Sequence, residues 1–67
     1  MYTIDIDVGG TLTDGLFSDG TTITPVKVDT TPHDLTICFQ ACLTEAAAKL
    51  GFADLRSFLE QVSVIRW

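Results

Sequence analysis

Tyr2-Thr3-Ile4-Asp5-Ile6-Asp7-Val8-Gly9-Gly10-Thr11-Leu12-Thr13-Asp14 is the stretch that decides how the chain folds. Its opening residues alternate strictly, with Tyr2, Ile4, Ile6 and Val8 on one side and Thr3, Asp5 and Asp7 on the other. Side chains of a strand point alternately to its two faces, so a period of two predicts a strand with one buried face. Gly9-Gly10 then breaks it with a turn. Thr11 to Ser18 is expected to return beside it as a second strand. Asp19-Gly20 predicts a tight turn of the type I′ kind, and Thr21 to Val28 a third strand. Pro25 offers no amide proton to a ladder, which places it at an edge or a bulge. Residues 1–29 are thus predicted to form a meander of three antiparallel strands.

The composition changes near Thr30. Four of the five glycines lie before it, whereas residues 32–62 are rich in Ala, Leu, Phe, Glu and Gln. Thr31-Pro32-His33-Asp34 has the make-up of a helix start, with Thr31 as N-cap, Pro32 at the first helical position and Asp34 at the third. Leu35, Cys38, Phe39, Cys42, Leu43, Ala46 and Leu50 follow at the three-and-four spacing of a helix face. Gly51 suits the left-handed residue that ends such a helix. Leu55 to Val62 predicts a second, shorter helix capped by Asp54. Val64-Ile65-Arg66-Trp67 reads as the opening of another strand with nowhere to go, and Trp67 as core of a continuation. The fold class expected is α+β, a β-meander (residues 1–29) followed by two helices (residues 32–62).

Length and charge narrow the function. The chain has 67 residues, nine acidic and four basic, for a net charge of −5, and is 46% hydrophobic. A domain of this size buries only about 60% of its surface, so so apolar a chain is expected to be one piece of a larger body, a fragment or a small chain completed by a partner. Lys27, Lys49, Arg56 and Arg66 are scattered singly, which argues against nucleic acid or an anionic membrane as partner. No apolar run approaches the ~18 residues of a membrane span, and the N-terminus lacks the pattern of a secretory signal. Cys38 and Cys42 are too few for a disulfide scaffold. A reducing cytoplasm is the expected location.

The chemistry concentrates in Asp7-Val8-Gly9-Gly10-Thr11-Leu12-Thr13-Asp14. Glycines at a strand end let the backbone approach a bulky anion with no Cβ in the way. Successive amides in such a turn can cradle an anion, and the Thr11 and Thr13 hydroxyls can add donors. The Asp7 carboxylate repels phosphate but can hold Mg²⁺, usually through water, and so bridge to it. Acid, glycines and hydroxyls together suit a magnesium nucleotide better than a bare anion. The plainer alternative is a hairpin whose glycines serve only the turn. No Lys follows the glycines and no helix opens there, so neither a Walker loop nor a dinucleotide fingerprint fits.

These residues resemble the N-terminal phosphate-loop motif of the hydantoinase A/5-oxoprolinase family, which includes ATP-dependent acetone and acetophenone carboxylase subunits. Val26-Lys27-Val28-Asp29-Thr30-Thr31-Pro32-His33-Asp34-Leu35 is similar to the stretch that the family carries before its first helix, so the resemblance covers nearly the whole chain. It implies that residues 1–67 are a partial N-terminal segment of an actin-like (ribonuclease H-like) ATPase domain. It further implies that Asp7 is the catalytic, metal-organising acid, that Gly9, Gly10, Thr11 and Thr13 form the phosphate loop, and that Asp14 supports the hairpin. The cofactors implied are ATP and Mg²⁺. The partners implied are the remainder of its own subunit or a larger chain, with a hydantoinase B-like subunit, and a small-molecule substrate. Leu12 stands where the family usually has Phe. The second phosphate loop, adenosine pocket and second lobe of an actin-like ATPase find no counterpart, so the 67 residues alone are not expected to hydrolyse ATP.

Within the family, the Thr13-Asp14-Gly15-Leu16-Phe17 and Thr31-Pro32-His33-Asp34-Leu35-Thr36 runs favour the carboxylase branch, with hydantoinase or 5-oxoprolinase as the alternative. A sugar kinase of the same superfold and a non-catalytic docking subunit are the rivals from outside it. Other polar residues invite blander readings. Cys38 and Cys42 share a helix face and are expected as core thiols rather than metal ligands. His33 sits where a helix dipole disfavours a cation. Asp5 is expected to support Asp7 or to be solvated. Phe39, Phe52 and Phe58 are expected in the core.

Overall fold

The computed structural model describes residues 1–66; Trp67, and with it the expectation placed on it, lies outside the described residues. The elements run β1 (Tyr2–Val8), β2 (Leu12–Ser18), β3 (Ile23–Asp29), α1 (Leu35–Lys49), α2 (Leu55–Leu59) and β4 (Val62–Arg66). They build an α+β fold with one four-stranded sheet in the order β3-β2-β1-β4.

β1 pairs antiparallel with β2, and β2 with β3. β4 then lies parallel to β1, with Thr3 opposite Val64 and Asp5 opposite Arg66. The sheet is therefore mixed and four-stranded, β4 adding a parallel strand to the antiparallel β1, β2 and β3 where three strands alone were expected. The final strand, expected to lack a place, finds one beside β1. The amide of Tyr2 joins the two through the Gln61 carbonyl at 2.7 Å. A parallel pair needs a long crossover, which α1 and α2 supply.

Alternation sorts the sheet into two faces. Ile4, Phe17 and Thr24 form one rung of the inner face, and Ile6, Gly15 and Val26 the next. Against them pack Cys42, Leu43, Ala46 and Ala47 of α1 and Phe58 of α2, all buried. Phe58 is the hub of an aromatic cluster, with ring centroids 5.5 Å from Tyr2, 5.2 Å from Phe52 and 5.9 Å from Phe17. Gly15 is small for a reason. A Cβ there would sit 2.6 Å from Cys42 Sγ and 2.6 Å from Phe17 Cε1, so the missing methyl is the seat of the Cys42 sulfur. The outer face carries Asp5, Asp7, Asp14, Leu16 and Lys27, and no helix covers it among the described residues.

Both helices start later or stop sooner than their sequence suggests. Asp34, not Thr31, is the N-cap of α1, its carboxylate accepting from the Thr36 amide at 3.1 Å and the Thr36 hydroxyl at 2.6 Å. Both residue types favour that position, and the turn closed by the Asp34 amide on the Thr31 carbonyl at 3.0 Å hands the role to the later one. α1 ends as expected at Gly51, with φ +83°. The Gly51 amide reaches Ala48 O at 3.2 Å and the Phe52 amide Ala47 O at 2.9 Å, the paired bonds of a Schellman ending. Asp54 caps α2 through the Ser57 amide at 2.8 Å, but α2 stops at Leu59 because Val62 already belongs to β4.

Candidate functional site

The β1–β2 turn spans Gly9, Gly10 and Thr11. The Gly9 amide closes it on the Leu12 carbonyl at 3.0 Å, and a Cβ on Gly9 would lie 2.8 Å from that same oxygen. Gly9 is therefore glycine by steric demand. Gly10 is different: its φ is not positive and a Cβ there would meet nothing within 4 Å. The turn itself supplies no reason for a second glycine.

The Thr11 carbonyl accepts from the Thr30 amide at 2.9 Å, and the Gly9 carbonyl from the Thr30 hydroxyl at 2.9 Å. Among the described residues no partner meets the amides of Gly10 and Thr11. Both residues are exposed, as is the Thr11 side chain. Two consecutive donors thus stand open at the tip of the turn.

Thr13 is placed otherwise than a phosphate ligand would be. It lies on the inner face, wholly buried, with its hydroxyl 2.9 Å from Thr30 Oγ1 and 3.7 Å from Cys38 Sγ. What Thr13 gives the turn is anchorage from below. Its neighbours Gly15 and Phe17 share that face, and the parity of Thr13-Gly15-Phe17 in the sequence is the signal that places it there.

The acids line up on the outer face. Asp7 pairs directly with Asp14 across β1 and β2, and Asp14 with Lys27 across β2 and β3. Lys27 Nζ lies 2.7 Å from Asp14 Oδ1. Asp5 is held by Arg66 in a two-point pair at 2.5 Å and 3.0 Å, and the guanidinium keeps its carboxyl below the usual range. Asp7, exposed, meets no side-chain partner among the described residues. Like charges directly opposite one another on neighbouring strands repel, and here one of the two has no cation of its own. Asp5, Asp7, Asp14 and Lys27, with Leu16 and Pro25, line a depression of about 380 Å³ on the sheet.

The remaining candidates take structural places. Cys38 and Cys42 are buried between helix and sheet, as expected of core thiols. Burial pushes the Cys42 thiol up. His33 is exposed in the turn before α1. Thr30, which sequence reasoning passed over, touches the turn at two points; its partner Gly9 lies 21 residues away, beyond any local pattern.

The site is thus a two-glycine hairpin with two exposed amides beside an acid that has no side-chain partner among the described residues. Residues 3–66 match the hydantoinase/oxoprolinase N-terminal region, and the chain belongs to that family. It is 37% identical over 67 residues to the acetophenone carboxylase gamma subunit of Aromatoleum aromaticum (strain DSM 19018 / LMG 30748 / EbN1), which covers all of this chain and 9% of that relative. The chain thus spans about a tenth of the length of the curated relative it matches. No helix of the described chain is long and apolar enough to cross a membrane.

Proposed function

We propose that this chain forms the phosphate-holding part of an ATP-dependent enzyme subunit, of the carboxylase type represented by its acetophenone carboxylase relative. The observation that carries this reading is the pair of unpartnered amides at Gly10 and Thr11, at the end of the strand that presents Asp7. The residues present fit Mg-ATP. Gly10 leaves open space for a phosphate to approach, the two amides and the Thr11 hydroxyl are donors for its oxygens, and Asp7 is a free carboxylate for the metal. Gly9 shapes the turn, Thr13 anchors it, and Asp14, engaged by Lys27, stiffens the hairpin. Within this reading the chain is the N-terminal segment of an actin-like ATPase domain, completed by the rest of its subunit and assembled with partner chains such as a hydantoinase B-like subunit.

When bound, Mg-ATP supplies a phosphoryl group that turns a carbonyl or enol oxygen into a good leaving group, with the metal offsetting the charge of transfer. The chain's own share is electrostatic. The turn's amides would offer donors to phosphate charge, and Asp7 would offer its carboxylate to the metal. A hydantoinase or 5-oxoprolinase needs the same loop, so the family supports that branch as the alternative substrate class.

Calorimetric titration of the complete subunit with Mg-ATP tests the reading. Saturable heat is expected; none at millimolar nucleotide would turn the hairpin into a mere turn in a docking module. Product analysis with bicarbonate and a ketone, against a hydantoin or a hexose, then separates the carboxylase from an amidohydrolase and a sugar kinase.

A further inference from the structure

Three hydrogen bonds converge on Thr30, at the exit of β3. Its amide donates to the Thr11 carbonyl at 2.9 Å, its hydroxyl donates to the Gly9 carbonyl at 2.9 Å, and its Oγ1 lies 2.9 Å from the Oγ1 of Thr13. A hydroxyl has one proton to give. With the Thr30 proton committed to Gly9, the third bond is donated by Thr13, whose contact with Cys38 Sγ is far longer at 3.7 Å. The bonds therefore run in one direction, from fully buried Thr13 through Thr30 to the turn.

The two carbonyls gripped by Thr30 flank Gly10. What lies between the grips is the Gly10 residue with its open space and the two unpartnered amides. The two glycines of the turn have no side chains to stiffen it, and glycine has the most backbone freedom to lose. The next residue extends the hold: the Thr31 hydroxyl accepts from the Cys38 amide at 3.0 Å and donates to the Asp34 carbonyl at 2.6 Å, in the first turn of α1.

The geometry points to Thr30 as a positioning residue: a latch that holds the Gly9–Thr11 turn in its anion-ready shape and couples it, through Thr31, to the start of α1. Thr30 itself touches no phosphate. Its effect on nucleotide is through the turn, and that part of the inference rests on the phosphate reading above. Preorganisation of this kind strengthens binding by removing the ordering cost from the binding step.

Two variants of the complete subunit test it. Thr30→Val keeps the shape and branching of the side chain but deletes the hydroxyl; Thr30→Ser keeps the hydroxyl. Backbone hydrogen exchange is read at the Gly9 amide, which donates to Leu12 O, with the Asp19 amide of the other hairpin as internal control. Mg-ATP affinity is read by calorimetry. In Thr30→Val, Gly9 exchange is expected to speed up and the Mg-ATP Kd to rise, each by about tenfold, with Asp19 unchanged. Thr30→Ser is expected to restore both to near the native values. Unchanged Gly9 exchange in Thr30→Val overturns the latch. Faster exchange with unchanged Kd overturns the positioning role. Absence of Mg-ATP binding by the unsubstituted subunit overturns the phosphate reading instead, and the exchange result alone then decides the latch.

Discussion

The two hairpin turns of the sheet meet their backbone needs in opposite ways. In the β2–β3 turn every amide from Asp19 to Thr22 is spoken for: Asp19 donates to Thr22 O at 3.2 Å, Gly20 to Ser18 Oγ at 3.2 Å, and Thr21 and Thr22 to Asp19 Oδ1 at 2.8 Å and 2.7 Å. This is a four-residue loop knit by the Asp19 side chain, not the two-residue type I′ turn its Asp-Gly suggests. A type I′ turn needs positive φ at both central residues, and only Gly20 has one here, at +97°. The β1–β2 turn is held from outside, by Thr30, and leaves two donors open. One turn is knit by its own side chain; the other is braced by a residue of β3 and turns two amides to solvent.

The largest effect that should separate the two is chemical. Asp7→Asn keeps the side chain's size and removes its charge, and ATP turnover of the complete subunit should fall on the order of 10²-fold. Asp19→Asn, in the closed turn, should leave turnover within about twofold, since surface changes away from a site have small effects. Equal losses in both variants would dissolve the contrast.

The glycines sharpen it further. Gly9→Ala drives a Cβ to within 2.8 Å of the Leu12 carbonyl oxygen, and melting curves should show destabilisation of about 1–3 kcal/mol. Gly10→Ala meets no atom, so stability should stay within about 0.5 kcal/mol while Mg-ATP affinity, read by calorimetry, drops. If Gly10→Ala binds nucleotide as well as the native subunit, the open tip is not where phosphate rests. Gly20→Ala should cost about 1 kcal/mol through its φ of +97°, with no change in affinity.

The smallest effect is acid sensitivity. The amides of Thr22 and then Thr21 hold the Asp19 carboxyl below its usual value, the Thr36 hydroxyl and amide do the same for Asp34, the Ser57 amide for Asp54, and Arg66 for Asp5. A carboxyl depressed by folding stabilises the fold fully above its unfolded pKa, near 3.9, and loses that contribution as pH falls through the lower folded value. The melting temperature should therefore be flat above about pH 5 and decline below about pH 4. Asp19→Asn should soften the decline.

The strands were legible because alternation is a local signal: Tyr2-Ile4-Ile6-Val8 names its own face, and Pro25 indeed lies on edge strand β3. The end of α1 was equally plain at Gly51. Tertiary choices were not. Thr31 and Asp34 are both good caps, and the turn between them decides which one serves. Val62 fits the helical period after Leu55 as well as it fits a strand, and pairing with Tyr2 settles the matter. In the candidate site, Asp7 and the two glycines announce themselves by type and spacing. Thr13 misleads because a hydroxyl near a glycine turn suggests a donor, whereas its parity with Phe17 sends it inward. Thr30 carries no local mark at all.

The seat that Gly15 makes for the Cys42 sulfur has a practical corollary. That thiol lies under α1 with no exposed surface, and burial disfavours its reactive anion. An alkylating reagent can reach it only in the moments when the helix lifts from the strands. The speed of Cys42 labelling therefore reports those moments, a gauge of breathing that needs no introduced cysteine.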